Sequence, residues 1–150
     1  MTDLFEKSIH TLELPKVLAL LAEQAVTEEG KERCLALRPL TDADDVKRAQ
    51  AETTAAVEMT TLRGTPSFSG VKPVRASLQR ADMGGALNTR ELLDIAAVLR
   101  AARSAKEYGE GSSNVKTCID HLFRSLTANR FLEEKITGSI LGEGEIADAA

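Results

Sequence analysis

The sequence predicts an all-α protein, a multi-helix bundle with a short extended segment at its C-terminal end. Three observations predict it. Apolar residues recur at i, i+3, i+4 and i+7 through most of the chain, the period of one helix face. Aromatic residues make up only 3% and Trp is absent, so the core must be built from Leu, Ala, Ile and Val, which suits packed helices. Helix-capping residues bracket the periodic runs, and neither a strand-rich section nor a repeat of fixed period is present. With 150 residues, 43% hydrophobic and 28% charged, the chain is long enough for one core and ordinary in composition for a soluble globular protein. The expected organisation is a single helical domain over 1–150, with loop breaks near 63–73 and 109–114, and about seven helices.

The first helix is expected in TLELPKVLALLAEQAV, where Leu14, Val17, Leu18, Leu21 and Ala25 define one buried face. Pro15 suits its first turn, where a missing N–H costs nothing. A second helix follows in TEEGKERCLALRP: Thr27 caps it, Glu28 and Glu29 favour the positive end of its dipole, and Pro39 stops it. The third starts at TDADDV with Thr41 as cap and runs to about Leu62. Gly64, Pro66, Gly70 and Pro73 then make a loop. A short helix, VRASLQRA, ends at Gly84 and Gly85. The clearest helix is NTRELLDIAAVLRAARSAKEYG. Asn88 and Glu91 are spaced as a capping box, and Leu92, Ile95, Ala96, Leu99 and Ala102 form a continuous apolar stripe. VKTCIDHLFRSL and RFLEEKITGSI read as two more helices, the second capped by Asn129. Gly142 and Gly144 then build a turn, and an extended segment begins near Ile146, so the chain is expected to stop inside an element and to be the front of a longer protein.

Chemistry is scarce. The chain contains no GxxxxGK[ST], no GxGxxG after a strand, no HExxH and no GxSxG. His10 and His121 lack a neighbouring second ligand and read as ordinary surface or half-buried side chains. The acids of DADDV read as serving a helix dipole rather than a metal, and GEGE as a turn. Cys34 and Cys118 are far apart, without CxxC spacing, and read as small buried hydrophobes. That usage suits a reducing compartment. No apolar run reaches the roughly 20 residues that cross a bilayer, and the N-terminus lacks a basic-then-apolar leader pattern, so a cytoplasmic protein without a membrane partner is expected.

The formal net charge is −4, but it is unevenly spread. Residues 1–62 carry 7 bases and 12 acids, 63–106 carry 8 bases and 3 acids, and 107–150 carry 4 bases and 8 acids. The middle third is therefore the candidate surface for a polyanion. Its nucleic-acid contact residues would be Arg63, Lys72 and Arg75 around the Gly/Pro loop, with Arg100, Arg103 and Lys106 along one face of the long helix. The bland reading, a solvated face whose long side chains cover apolar surface, stands beside it, because no aromatics interleave to stack bases.

Several segments in order resemble the second bacterial MutS paralogue, the anti-recombination type. An opening helix pair leads into an L-x-P-x-T-D step, here Leu37, Pro39, Thr41 and Asp42. A Gly loop, a short helix ending in Gly-Gly and a helix of the form ELL-x-I-x-x-x-LR-x-x-R follow, from SFSGVKP to ARSAKEY. GEIADAA resembles the entry to the long lever and clamp helices of MutS-type cores. The resemblance covers essentially the whole chain and implies a non-catalytic front portion of a core and lever region. It further implies a parent that is a DNA-binding ATPase, with ATP and Mg, a homodimer through its ATPase domain, acting on branched or mismatched DNA and suppressing homologous recombination. A C-terminal Smr nuclease domain, and action on collided ribosomes, belong to the same implied set. No catalytic, cofactor or metal residue of the family has a matching position here. The readings that compete with it are a free-standing helical module that binds a protein partner and an RNA- or ribosome-binding element using the basic middle segment.

Overall fold

The computed structural model describes residues 2–111, 116–142 and 145–146. Eight helices and one small β-ladder are found there: α1 (Thr2–Thr11), α2 (Leu14–Glu23), α3 (Glu28–Leu35), α4 (Ala43–Arg63), α5 (Arg75–Asp82), α6 (Thr89–Glu110), α7 (Asp120–Arg124), α8 (Arg130–Ser139), β1 (Ile140–Gly142) and β2 (Glu145–Ile146). The fold is all-α, with the extended segment at the expected end. The chain clusters into two compact units, Met1–Pro39 and Leu40–Ala150, where the sequence suggested one domain.

In the first unit α2 packs on both α1 and α3. Helix α1 is absent from the sequence reading. Glu13 separates it from α2 by adopting a left-handed conformation (φ 55°), a conformation that costs a non-glycine residue free energy. Pro15 sits in the first turn of α2, as its fixed φ favours. The expected buried face is corrected: Leu18 and Ala22 are buried, while Val17 and Leu21 are exposed. A helix this short flanked by two others buries only the stripe between them. Thr27 caps α3, its Oγ1 accepting from the Gly30 N–H at 3.0 Å.

In the second unit Asp42, not Thr41, caps α4; its Oδ1 accepts from the N–H groups of Asp44 at 2.9 Å and Asp45 at 3.1 Å. Gly64 closes α4 with φ 77°, where a side chain would be strained. The loop of 64–74 leads to α5, whose end is closed by the Gly84 N–H on Ala81 O at 2.9 Å. The capping box of α6 is present: Asn88 Oδ1 accepts from the Glu91 N–H (2.9 Å), and Glu91 Oε2 accepts from the Asn88 N–H (3.0 Å). Asn129 caps α8 by accepting from the Leu132 N–H at 3.0 Å. Helix α7 is only five residues long, far shorter than the run expected over 115–126.

Helix α6 runs through two hydrophobic clusters. Ile95 and Ala96 join Ile136 and Ile140 of α8 and β1, with Leu92 and Leu99 packed against them, so most of the expected stripe is core. Nearer its C-terminus, Tyr108 joins Ala55 and Met59 of α4, Ile119, and Phe123 of α7. Tyr108 and Phe123 rings meet at 5.8 Å in a tilted arrangement. Neither cysteine is the buried hydrophobe expected: Cys118 is exposed and Cys34 only half-buried. β1 and β2 pair antiparallel, with Ile140 opposite Ile146 and Gly142 opposite Glu145.

Candidate nucleic-acid interface

The six basic residues singled out by charge meet different surroundings. Arg100 and Arg103 project from α6 toward α8, and both reach Glu133, the one buried charged side chain among the described residues. Arg100 Nε donates to Glu133 Oε1 at 3.1 Å; Arg103 donates through Nε to Oε2 and through Nη2 to Oε1, each at 3.1 Å. Arg103 Nη1 also reaches Glu107 one turn on, at 3.3 Å. A carboxylate taken out of water is tolerated only when paired and hydrogen-bonded, and three charge-assisted bonds meet that need. The Arg103 guanidinium holds the Glu133 carboxyl below the usual carboxylate range, against the upward push of burial and with help from Arg100. The same bonds raise the Arg103 pKa.

Arg63 is engaged at the C-terminal end of α6. Its Nη1 donates to the carbonyls of Tyr108 (2.9 Å) and Gly109 (3.1 Å), groups left over at the negative end of the helix. Tyr108 returns the contact by donating its hydroxyl to Gly64 O at 2.9 Å. The ends of α4 and α6 are thereby clasped. Gly109 lies so close to α7 that a Cβ there would stand 2.3 Å from Phe123 Cβ.

Lys72, in the loop, and Arg75, at the start of α5, are exposed and make no ion pair among the described residues. Lys106 is half-buried on α6. Sequence reasoning therefore located the basic residues, and the fold brings Arg100 and Arg103 together while leaving Lys72 and Arg75 open to solvent. It missed Glu133 and Tyr108. Glu133 carried a signal: it shares the i, i+3, i+7 face of Ile136 and Ile140, a carboxylate standing where an apolar residue is due. A second missed network joins α5 to α6, where Glu91 accepts from Ser77 at 2.9 Å and from Arg80. The Asn88 N–H, Arg80 and Ser77 together lower the pKa of Glu91.

Among the described residues no group of three or more His, Cys, Asp or Glu side chains is placed to hold a metal ion, and no helix is long and apolar enough to cross a membrane. The fold and these side chains define a helical scaffold tied by ion pairs that are buried on the Glu133 side, with Lys72 and Arg75 exposed. No family model matches the chain. Among curated proteins, the chain is similar along nearly its whole length to the N-terminal region of proteins named endonuclease MutS2. It is 41% identical over 149 residues to endonuclease MutS2 of Acetivibrio thermocellus and 42% identical over 147 residues to that of Ruminiclostridium cellulolyticum, 97% of the chain in each case. To the Geobacillus kaustophilus protein of the same name it is 37% identical over 147 residues. The chain spans only 19% of the length of each of these relatives.

Proposed function

We propose that this chain is the non-catalytic, helical front portion of a MutS-type ATPase that binds branched or mismatched DNA and suppresses homologous recombination in the cytoplasm. One observation carries the reading: similarity along 97% of the chain to the N-terminal region of proteins named endonuclease MutS2. The whole protein would bind ATP with Mg, dimerise through an ATPase domain and carry any endonuclease activity in parts outside this stretch. Within the stretch, the physical role is a rigid connection. Helix α6 threads two hydrophobic clusters and is tied by arginines near its start, where Arg80 donates to Glu91, and at its end, where Arg63 donates to the Tyr108 and Gly109 carbonyls, so a displacement at one end is passed along rather than absorbed. Lys72 and Arg75 are exposed and in position to touch phosphates without first giving up an ion pair. Such contacts release counterions and make affinity fall with salt.

The test uses the full-length product of the gene. ATP hydrolysis is measured with and without a four-way DNA junction, beside a linear duplex of equal length. Stimulation by the junction well above that by the duplex is expected; hydrolysis that ignores DNA altogether contradicts the reading. Purified ribosomes form a third arm, and stimulation by them alone would move the target from DNA to the translation machinery.

A further inference from the structure

The loop of 64–74, between α4 and α5, lies in a stretch of one charge sign. From Met59 to Ala81 the sequence contains no Asp or Glu, while Arg63, Lys72, Arg75 and Arg80 fall within it. Arg63 and Arg80 are engaged on α6, the first by the Tyr108 and Gly109 carbonyls and the second by Glu91. Lys72 and Arg75 stay exposed. Among these bases stands one aromatic residue, Phe68, and its side chain is 39% exposed. One ring is too few for the series that stacks a long single strand, and enough for one base. We infer that Phe68 stacks on a single unpaired base at a DNA branch while Lys72 and Arg75 hold the phosphates beside that base. The inference rests on the DNA reading of the proposed function and deepens it by naming the part of the branch that is bound.

The Val71 N–H donates to Phe68 O at 3.4 Å, and Gly70 has φ 82°. This is a turn with glycine at the position that needs a left-handed backbone. Such a turn brings the Cα atoms of its first and fourth residues to within about 7 Å, and Lys72 follows about 3.8 Å further on. The Phe68 ring and the Lys72 ammonium are therefore in reach of neighbouring nucleotides of one strand. Ser67 and Ser69, on either side of Phe68 in sequence, are exposed, and their hydroxyls meet at 3.0 Å. That contact uses one O–H of the pair and leaves the other for a phosphate oxygen. Pro66 and Pro73 fix φ on either side of the turn, so less freedom is lost on binding. A stretch with bases and no acids meets a polyanion without local repulsion, and a stacked base needs the π-face that an aliphatic side chain lacks.

The experiment uses the full-length gene product and two four-way junctions of the same sequence, one fully paired and one with a single unpaired thymine at the branch. The wild type should bind the second more tightly. Phe68→Leu, which keeps the side chain apolar, should weaken binding to the unpaired junction by about fivefold or more and to the paired one by less than about twofold, since base stacking on an aromatic ring is the contact removed. Its salt slope should equal that of the wild type, because no phosphate contact is lost. Phe68→Tyr should bind both junctions as the wild type does. In the wild type, 5-iodouracil in place of the unpaired thymine should photocrosslink to Phe68, mapped by mass spectrometry; this arm needs no variant to fold. Equal wild-type affinity for the two junctions, equal losses on both in Phe68→Leu, or a crosslink that maps elsewhere overturns the inference alone. A wild type that binds neither junction at low salt overturns the DNA reading and the inference with it.

Discussion

Glu133 concentrates the residue-scale physics of this chain. Its side chain is 7% exposed, whereas those of Arg103 and Arg100 are 30% and 59% exposed, so the pairing is partly screened by water on the arginine side. Glu133→Ala removes an acceptor of three hydrogen bonds and leaves the Arg100 and Arg103 guanidiniums without their shared carboxylate. The expected loss is about 1–3 kcal/mol, measured by urea unfolding. Arg103→Ala should cost more than Arg100→Ala, because Arg103 makes two of the three bonds. The pH dependence has a definite sign. The folded pKa of Glu133 lies below its ordinary value of 4.5, so the ion pair contributes its full stability above that value. The contribution is lost as pH falls through the lower, folded pKa. Between pH 6 and 3 the melting temperature of the wild type should therefore fall more steeply than that of Glu133→Gln; parallel curves would mean the carboxylate carries no net stability.

At the scale of elements, the junction of α6 with α7 makes a prediction whose sign separates two ideas. Gly109 is inside a helix, where replacement by Ala ordinarily stabilises by about 1 kcal/mol. Here the added Cβ would collide with Phe123 close to its backbone, a contact that a side-chain rotation does not relieve. Gly109→Ala is expected to destabilise by about 1–3 kcal/mol, the usual cost of overpacking. A rise in melting temperature instead would show that α7 is not seated where the Tyr108–Phe123 contact puts it. Asn88→Ala should cost about 1 kcal/mol through loss of the capping box.

The same elements show what was legible in the sequence. Caps are local, so Thr27, Asn88 and Asn129 could be read from neighbours three residues away. The apolar stripe of α6 was legible because a helix between two packed neighbours needs a wide buried face. Helix α1 was not, because its boundary is set by one strained residue, Glu13, and not by a cap or a proline. Thr41 was displaced as cap by Asp42, an equally good acceptor one residue on. Val17, Leu21 and Cys118 mislead because periodicity reports apolar character and not the partner that covers it. The same limit hid the α6–α8 ion pairs: the spacing of Arg100 and Arg103 announces a shared face, while their carboxylate lies some thirty residues further along the chain.

On the scale of the whole molecule, five of the six basic residues should divide when DNA binding is measured. Lys72 and Arg75 act at the surface, so their loss should weaken binding while leaving the melting temperature unchanged. Arg100 and Arg103 hold α6 to α8, and Arg63 holds α4 to α6, so their loss should first appear as lost stability. Alanine at Leu92 and Leu99, within the core of the second unit, tests the rigid-connection role: junction binding should survive while its stimulation of ATP hydrolysis is lost. If these substitutions only lower the melting temperature, that role is refuted. The central claim is that this stretch belongs to a DNA-acting MutS-type protein, and its most direct test is the salt dependence of junction binding. The affinity of the full-length gene product for a four-way junction would be measured across a salt series, for the wild type and for Lys72→Ala with Arg75→Ala. The account predicts tight binding that weakens steeply with salt, and a double variant whose log–log slope is shallower by about 2, one for each phosphate contact removed. A wild-type protein that fails to bind the junction at low salt would contradict the account.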